Sequence, residues 1–243
     1  MSEVKEAVRT HFAEIATTLG GDCCSTDGPD CGCCGSYSTE ELGAVGLPES
    51  ISLGCGNPTM LADLQPGQVV LDLGSGAGLD VLLSAKRVAP GGHAYGLDMT
   101  DEMLELAGRH RDGAGITNAT FLKGTIESVP LPDASVDVVI SNCVINLAED
   151  KQAVLNEAFR VLRPGGLFAV ADMVELTPLA PELKKRLDTW AGCISGTVPI
   201  DVYREQLSRA GFDSLEFQVH ATEEMPGGQG RVGSAYVRAH KPR

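Results

Sequence analysis

The sequence predicts an α/β fold, a mostly parallel β-sheet with crossover helices, on three observations. From residue 69 to 172, short apolar runs alternate with stretches of helical periodicity. The first run, Val69-Val-Leu-Asp-Leu73, passes directly into a glycine loop, Gly74-Ser-Gly-Ala-Gly78, and then into a helical pattern. The next run, His93-Ala-Tyr-Gly-Leu-Asp98, ends in an acid. A strand, a tight glycine turn and a helix open a nucleotide-binding α/β unit. Glycines there let a ligand approach the backbone, and the N–H groups at the helix start face it.

Residues 1–20 place Val4, Val8, Phe12, Ile15, Ala16 and Leu19 on one helical stripe, which predicts an amphipathic helix serving as a lid or brace. Gly20-Gly21-Asp22 stops it, and a loop rich in Cys, Gly and Asp follows to residue 37. A short helix starts at Thr39 with Ser38 as its N-cap. Strands are expected at 69–73, 93–97, 119–123, 136–141 and 167–172, and helices at about 79–89, 101–111 (capped by Thr100) and 149–162. Pro90-Gly-Gly92 and Arg163-Pro-Gly-Gly166 read as turns. Beyond 175 the pattern changes to helices over Pro181–Ile194 and Asp201–Ala210, then strands Ser214–Thr222 and Ser234–His240. Those two strands, joined as a hairpin, give a seven-stranded sheet with an antiparallel edge. The organisation expected is 1–60, an N-terminal helix and cysteine-rich segment; 61–175, the nucleotide-binding core; and 176–243, an elaboration with the last two strands.

With 43% hydrophobic residues the 243-residue chain has enough apolar content for a core. Its 33 acids against 19 Lys+Arg give a net charge of −14, which argues against nucleic acid or an anionic membrane as partner. The sequence shows no transmembrane-length run and no basic-then-apolar leader, so a soluble, cytoplasmic protein is expected. Eight cysteines (Cys23, Cys24, Cys31, Cys33, Cys34, Cys55, Cys143 and Cys193) fit a secreted disulfide scaffold poorly. In a reducing compartment they bind a soft metal, carry out redox chemistry or fill the core. Cys31 and Cys34 form one C-x-x-C, half of a zinc site, with no second pair at finger spacing.

Ligands of an open parallel sheet bind at the C-terminal ends of its strands. The residues there are Asp72, Gly74, Ser75, Gly76 and Gly78 after strand one, and Asp98 and Met99 after strand two. Strand three leads to Thr125, Ile126 and Glu127, and strand four to Asn142. The spacing G-x-G-x-G differs from the dinucleotide fingerprint. Asp98 is placed to bind ribose hydroxyls and Glu127 an adenine amino group, so a nucleoside-bearing ligand is expected. Three cysteines join this edge: Cys55 between Gly54 and Gly56, Cys143 just past a strand end, and Cys193 among small residues. Three converging thiolates suit a soft, thiophilic substrate such as trivalent arsenic, whose lone pair is a nucleophile. Attack by that lone pair needs no general base, and the five histidines read as structural or surface residues.

The glycine loop resembles the S-adenosylmethionine site of class I methyltransferases. Leu73-Gly-Ser-Gly, Gly96-Leu-Asp-Met-Thr100, Ser141-Asn-Cys-Val-Ile-Asn-Leu147 and Trp190-x-x-Cys193 together resemble the arsenite S-adenosylmethionine methyltransferases. The resemblance implies a Rossmann-like class I fold, S-adenosylmethionine as cofactor, and arsenite and methylated arsenicals as substrates. It makes Cys143 and Cys193 the pair that holds trivalent arsenic, and Cys55 a third ligand or a redox-relay thiol. A relay cysteine follows the first helix in the family. Cys23 and Cys24 both stand at that position, with Cys24 preferred, and a Cys55 disulfide to it fits the cycle. Glutathione or thioredoxin is the implied reductant. Cys31, Cys33 and Cys34 are additional to the pattern. Two other readings are a class I methyltransferase of another small molecule and a metalloid-binding or redox thiol protein.

Overall fold

The structure is a computed structural model that describes residues 2–18, 37–47, 54–186, 190 and 193–243. Helix α1 (Glu3–Thr18) lies ahead of α2 (Thr39–Val45) and the single turn α3 (Pro58–Leu61). Then come β1 (Val69–Leu73), α4 (Leu79–Arg87), β2 (His93–Asp98), α5 (Asp101–Gly113), β3 (Ala119–Lys123) and β4 (Val136–Asn142). The chain continues through α6 (Lys151–Val161), β5 (Leu162–Thr177), α7 (Ile200–Ala210), β6 (Asp213–Glu224) and β7 (Arg231–His240).

The seven strands form one sheet in the order β3-β2-β1-β4-β5-β7-β6. Strands β1 to β5 are mutually parallel, and β7 runs antiparallel to both β5 and β6. The expected hairpin therefore forms, with β7 inserted next to β5. The chain steps outward from β1 to β3 and returns beside β1 as β4. Order reversal at β1/β4 leaves a crevice beyond the carboxyl ends of these strands.

Continuous apolar character of the central strands follows from burial on both faces. On one face Leu71, Leu73, Val139 and Phe168 pack against Leu155 of α6 and Tyr203 of α7. On the other, Val81 and Leu82 of α4 pack with Met103 of α5. Each fully buried side chain of this size contributes about 1.5–3 kcal/mol.

Local chemistry explains most element ends. Ser38 caps α2 in a capping box with Glu41, and Gly46 closes that helix at φ +68°. Thr100 occupies the N-cap position of α5 but makes no cap bond; its backbone N–H donates to Asp98 Oδ1 at 2.9 Å, and its hydroxyl serves the same carboxyl. The Thr100 side chain is turned to that carboxyl and does not accept from the first turn of α5. The Arg163–Gly166 turn sits inside β5 as an irregularity in its pairing with β4. Within the helix expected over Pro181–Ile194, residues 181–186 carry a 3-10 turn, Leu183–Lys185, and Trp190 is helical, its N–H donating to Arg186 O at 3.2 Å. The Ser195 hydroxyl donates to the Leu183 carbonyl at 2.9 Å, and Cys193 adopts φ +60°, outside helical backbone.

Candidate active site

Gly74 and Ser75 donate their N–H groups to Leu97 O at 2.8 and 2.9 Å, which locks the glycine loop across the β1–β2 strand ends. Gly76, at φ +49°, donates its N–H to Asp98 Oδ2 at 2.9 Å. A Cβ at Gly76 would meet nothing nearer than Met103 Sδ at 4.0 Å, so its open side faces space rather than packing. That space is a cavity of about 1000 Å³ beyond the strand ends, with Val8 and Phe12 of α1 along one wall. The stripe read as a lid or brace thus packs on α5 and borders the cavity.

Among the expected cofactor residues, Asp72, Gly74, Ser75, Gly76, Asp98 and Met99 border this cavity. Thr125, Ile126, Glu127 and Asn142 do so from the other strand ends. Gly78 instead heads α4 and packs near Phe121. Glu127 accepts from Lys5 Nζ of α1 at 3.0 Å, so it ties α1 to the rim. Ser75 Oγ and Asn142 Oδ1 are buried without a protein partner, leaving polar atoms for a ligand.

Three carboxyls converge here. Burial, reinforced by the charges of Asp80 and Asp98, holds Asp72 well above the usual carboxyl range. Asp80 is pushed up to about 6 by burial, against hydrogen bonds from Tyr37 and Asn142. Burial also raises Asp98, and the Thr100 and Gly76 N–H groups oppose it. Clustered, desolvated acids are relieved by a cation, and S-adenosylmethionine brings a sulfonium and an ammonium. The residues present therefore fit that cofactor: acids for its positive charges, a ribose-facing carboxyl, and an open glycine backbone.

Cys55, Cys143 and Cys193 border the same cavity. The expectation of three free thiolates is corrected: Cys55 and Cys143 form a disulfide, S–S 2.11 Å and Cα–Cα 5.9 Å. The implied bond from Cys55 to an N-terminal cysteine is replaced here by this one; Cys23, Cys24, Cys31, Cys33 and Cys34 lie outside the described residues. The third thiol, Cys193, lies buried with Sγ 2.7 Å from Cys143 O. Cys143 and Cys193 adopt φ +57° and +60°, a conformation that L-residues with a Cβ rarely take and that collects at functional sites. Among the described residues no three His, Cys, Asp or Glu side chains form a ready-made metal cluster.

The glycines beside Cys55 are explained by crowding. A Cβ on Gly54 would collide with the Asn142 amide, and one on Gly56 would lie 2.8 Å from Tyr236 Cε1. The loop is wedged between these two side chains.

Two residues that border the cavity, Tyr37 and His220, and two buried residues outside its lining, Asp172 and Lys151, had little or no signal in the sequence. Tyr37 donates its hydroxyl to Asp80 at 2.7 Å and accepts from Asn142 Nδ2 at 3.0 Å. Asp172, at the expected end of the fifth strand, is pushed up to about 7 by burial. It accepts from Asn146 Nδ2 at 2.8 Å. Lys151 is pushed down to about 8 by burial, opposed by the Asp172 charge. His220, read as structural or surface, is exposed yet borders the cavity. It stacks on Tyr236 at 4.1 Å, and its Nε2 lies 3.3 Å from Cys55 O.

This fold and this site define a class I S-adenosylmethionine-dependent methyltransferase. Residues 64–211 match the family model described as "Methyltransferase domain", and the chain belongs to that family. It is 41% identical over 229 residues to the arsenite methyltransferase of Halobacterium salinarum, covering 88% of this chain and 58% of that protein. It is 38% identical to the human arsenite methyltransferase over 53% of this chain and 37% of the human one. The chain thus spans between a third and three-fifths of these two relatives. A solved arsenic(III) S-adenosylmethionine methyltransferase from Chlamydomonas reinhardtii superposes with a TM-score of 0.69 at 33% identity, over 87% of this chain and 73% of that one. Among the described residues no helix is long and apolar enough to cross a membrane.

Proposed function

We propose that this methyltransferase acts on trivalent arsenic held by the thiols of Cys143 and Cys193. The observation that carries the reading is the placement of both residues, in strained left-handed backbone and 2.7 Å apart from sulfur to carbonyl, on the wall of the cofactor cavity. The arsenite methyltransferases among its relatives support it.

Bound S-adenosylmethionine supplies an electrophilic methyl group on a sulfonium. Asp72 would face its positive charges, Asp98 would accept from its ribose hydroxyls, and Asn142 and Ser75 would offer further polar atoms. Cys143 and Cys193 hold the metalloid with its lone pair aimed along the line of transfer, and that geometry replaces a general base. Methyl transfer takes arsenic from the trivalent to the pentavalent state. The Cys55 thiolate then attacks the Cys143 sulfur: the Cys143–arsenic bond breaks and leaves its electron pair on arsenic, which returns to trivalent on Cys193, while the Cys55–Cys143 disulfide forms. An external thiol, glutathione or thioredoxin, then supplies two electrons and two protons to reopen it. Such a cycle belongs to a reducing cytoplasm, and Cys24 is the proposed N-terminal relay thiol.

The test is incubation with arsenite, S-adenosylmethionine and a thiol reductant, followed by arsenic speciation. Methylated arsenic and S-adenosylhomocysteine in equal amounts are expected on the first turnover. Arsenite binding without product would make the protein a metalloid binder, and absence of both would leave another small molecule as the substrate.

A further inference from the structure

Asn142 reaches three acceptors with one nitrogen. Its Nδ2 lies 2.7 Å from Gly56 O, 3.0 Å from Tyr37 Oη and 3.4 Å from Asp80 Oδ2. The Tyr37 hydroxyl in turn donates to the Asp80 carboxylate, 2.7 and 2.8 Å from its two oxygens. This arrangement fixes which way the amide points. A flipped amide would set Oδ1 against a carbonyl and a carboxylate, acceptor facing acceptor. The observed orientation leaves Oδ1 buried, without a protein partner, at the border of the cofactor cavity.

The same amide is what the Cys55 loop leans on. Gly56 O is its acceptor, and Gly54 approaches so closely that a Cβ would collide with it. Asn142 therefore touches the cofactor cavity with one end and the redox-active loop with the other. Tyr37 and Asp80 touch neither sulfur, yet they decide how that amide stands.

We propose that Tyr37 and Asp80 are positioning residues that couple cofactor occupancy to the Cys55–Cys143 disulfide through the side chain of Asn142. A cofactor donor on Oδ1 immobilises the amide, Nδ2 stays on Gly56 O, and Cys55 is held facing Cys143. Occupancy then raises the effective concentration of one thiol at the other and favours the disulfide. Coupling is reciprocal, so the disulfide form binds the cofactor more tightly than the dithiol form by the same factor. The inference rests on the cofactor site and needs no arsenic, so its failure and that of the arsenite reading are told apart.

The experiment equilibrates the full chain with dithiothreitol at set ratios of dithiol to cyclic disulfide, with and without saturating S-adenosylhomocysteine. Cys55 and Cys143 are then mapped by quenched alkylation and mass spectrometry. Dithiothreitol supplies the two electrons and two protons and leaves as its cyclic disulfide. In the wild type, S-adenosylhomocysteine shifts the equilibrium toward the disulfide by about fivefold or more, the lower end of ordinary allosteric coupling. Tyr37→Phe, which removes the hydroxyl and keeps the ring, brings the shift below about twofold, under the roughly fivefold lower end of ordinary coupling. Asp80→Asn retains an acceptor for Tyr37 and retains the shift, whereas Asp80→Ala loses it. Calorimetry confirms that S-adenosylhomocysteine saturates each variant. No shift in the wild type, or an equal shift in Tyr37→Phe and Asp80→Ala, overturns the proposal. If Tyr37→Phe fails to fold, the wild-type and Asp80 results decide it.

Discussion

The Cys193 thiol lies 2.7 Å from the carbonyl oxygen of Cys143, and both residues hold left-handed backbone. Two residues fifty apart in the chain are thereby turned so that their side chains share one wall of the cofactor cavity. Left-handed backbone costs a residue with a Cβ roughly 1–2 kcal/mol, so the surrounding packing must hold it.

This pairing makes a direct prediction for the thiols. Cys143→Ser or Cys193→Ser keeps the shape and removes a soft ligand. Loss of outer-shell partners alone lowers metal affinity or activity about 10–100-fold, so arsenic methylation is expected to fall by at least about 100-fold. S-adenosylmethionine affinity measured by calorimetry should stay near the wild-type value. Retained methylation in Cys143→Ser would reduce Cys143 to core packing.

Gly76→Val tests the cofactor placement. A β-branched residue at φ +49° meets backbone strain of about 1–2 kcal/mol, and its methyl groups project into the open cavity. We expect the dissociation constant for S-adenosylmethionine to rise about tenfold or more, equivalent to about 1.4 kcal/mol. Unchanged affinity would place the cofactor elsewhere.

Cofactor affinity should depend on pH through the buried acids. Asp80, with its carboxyl raised to about 6, binds a proton in the folded protein where the unfolded chain has lost it. That contribution to stability is complete below the unfolded value near 4 and is lost as pH rises through about 6. A cationic ligand favours the ionised carboxyl, so S-adenosylmethionine should bind more tightly at pH 7 than at pH 5 and release protons. Calorimetry in buffers of different ionisation enthalpy counts those protons. Asp80→Asn should release fewer, and an equal count would remove Asp80 from the linkage.

Lys151→Met removes a buried ammonium whose charge acts on Asp172. Asp172 is raised to about 7 and Lys151 lowered to about 8, each by burial. At pH 7.5 the variant loses the attraction between the Lys151 ammonium and Asp172, whose carboxyl then rises further and takes up a proton, so the variant should be less stable than wild type. At pH 5.5 Asp172 is protonated, the wild type carries a buried ammonium with no carboxylate to offset it, and the variant should be no less stable than wild type. Urea unfolding at the two pH values gives the comparison; equal losses at both would mean the lysine acts through packing alone.

Sequence periodicity located all seven strands, six of them to within three residues, because each central run is apolar on both faces and bounded by turn residues; β5 extends five residues beyond its expected 167–172 at each end. The glycine loop, Asp98 and the thiols at 55, 143 and 193 were legible for a related reason: strand ends, tight turns and glycine-flanked cysteines are local chemistry. Which thiols meet was a different matter. Cys55 and Cys143 are 88 residues apart, Tyr37 and Asp80 43 apart, and Asn142 and Tyr37 105 apart. His220 was read as structural or surface; within β6, at an irregularity in the β6–β7 pairing between Val219 and Ala221, it stacks on Tyr236 beside Cys55. Strand and turn signals are written within a few residues because backbone preference is local. Disulfide choice, amide orientation and the shifted acids depend on distances and desolvation that exist only once the sheet has brought those segments together.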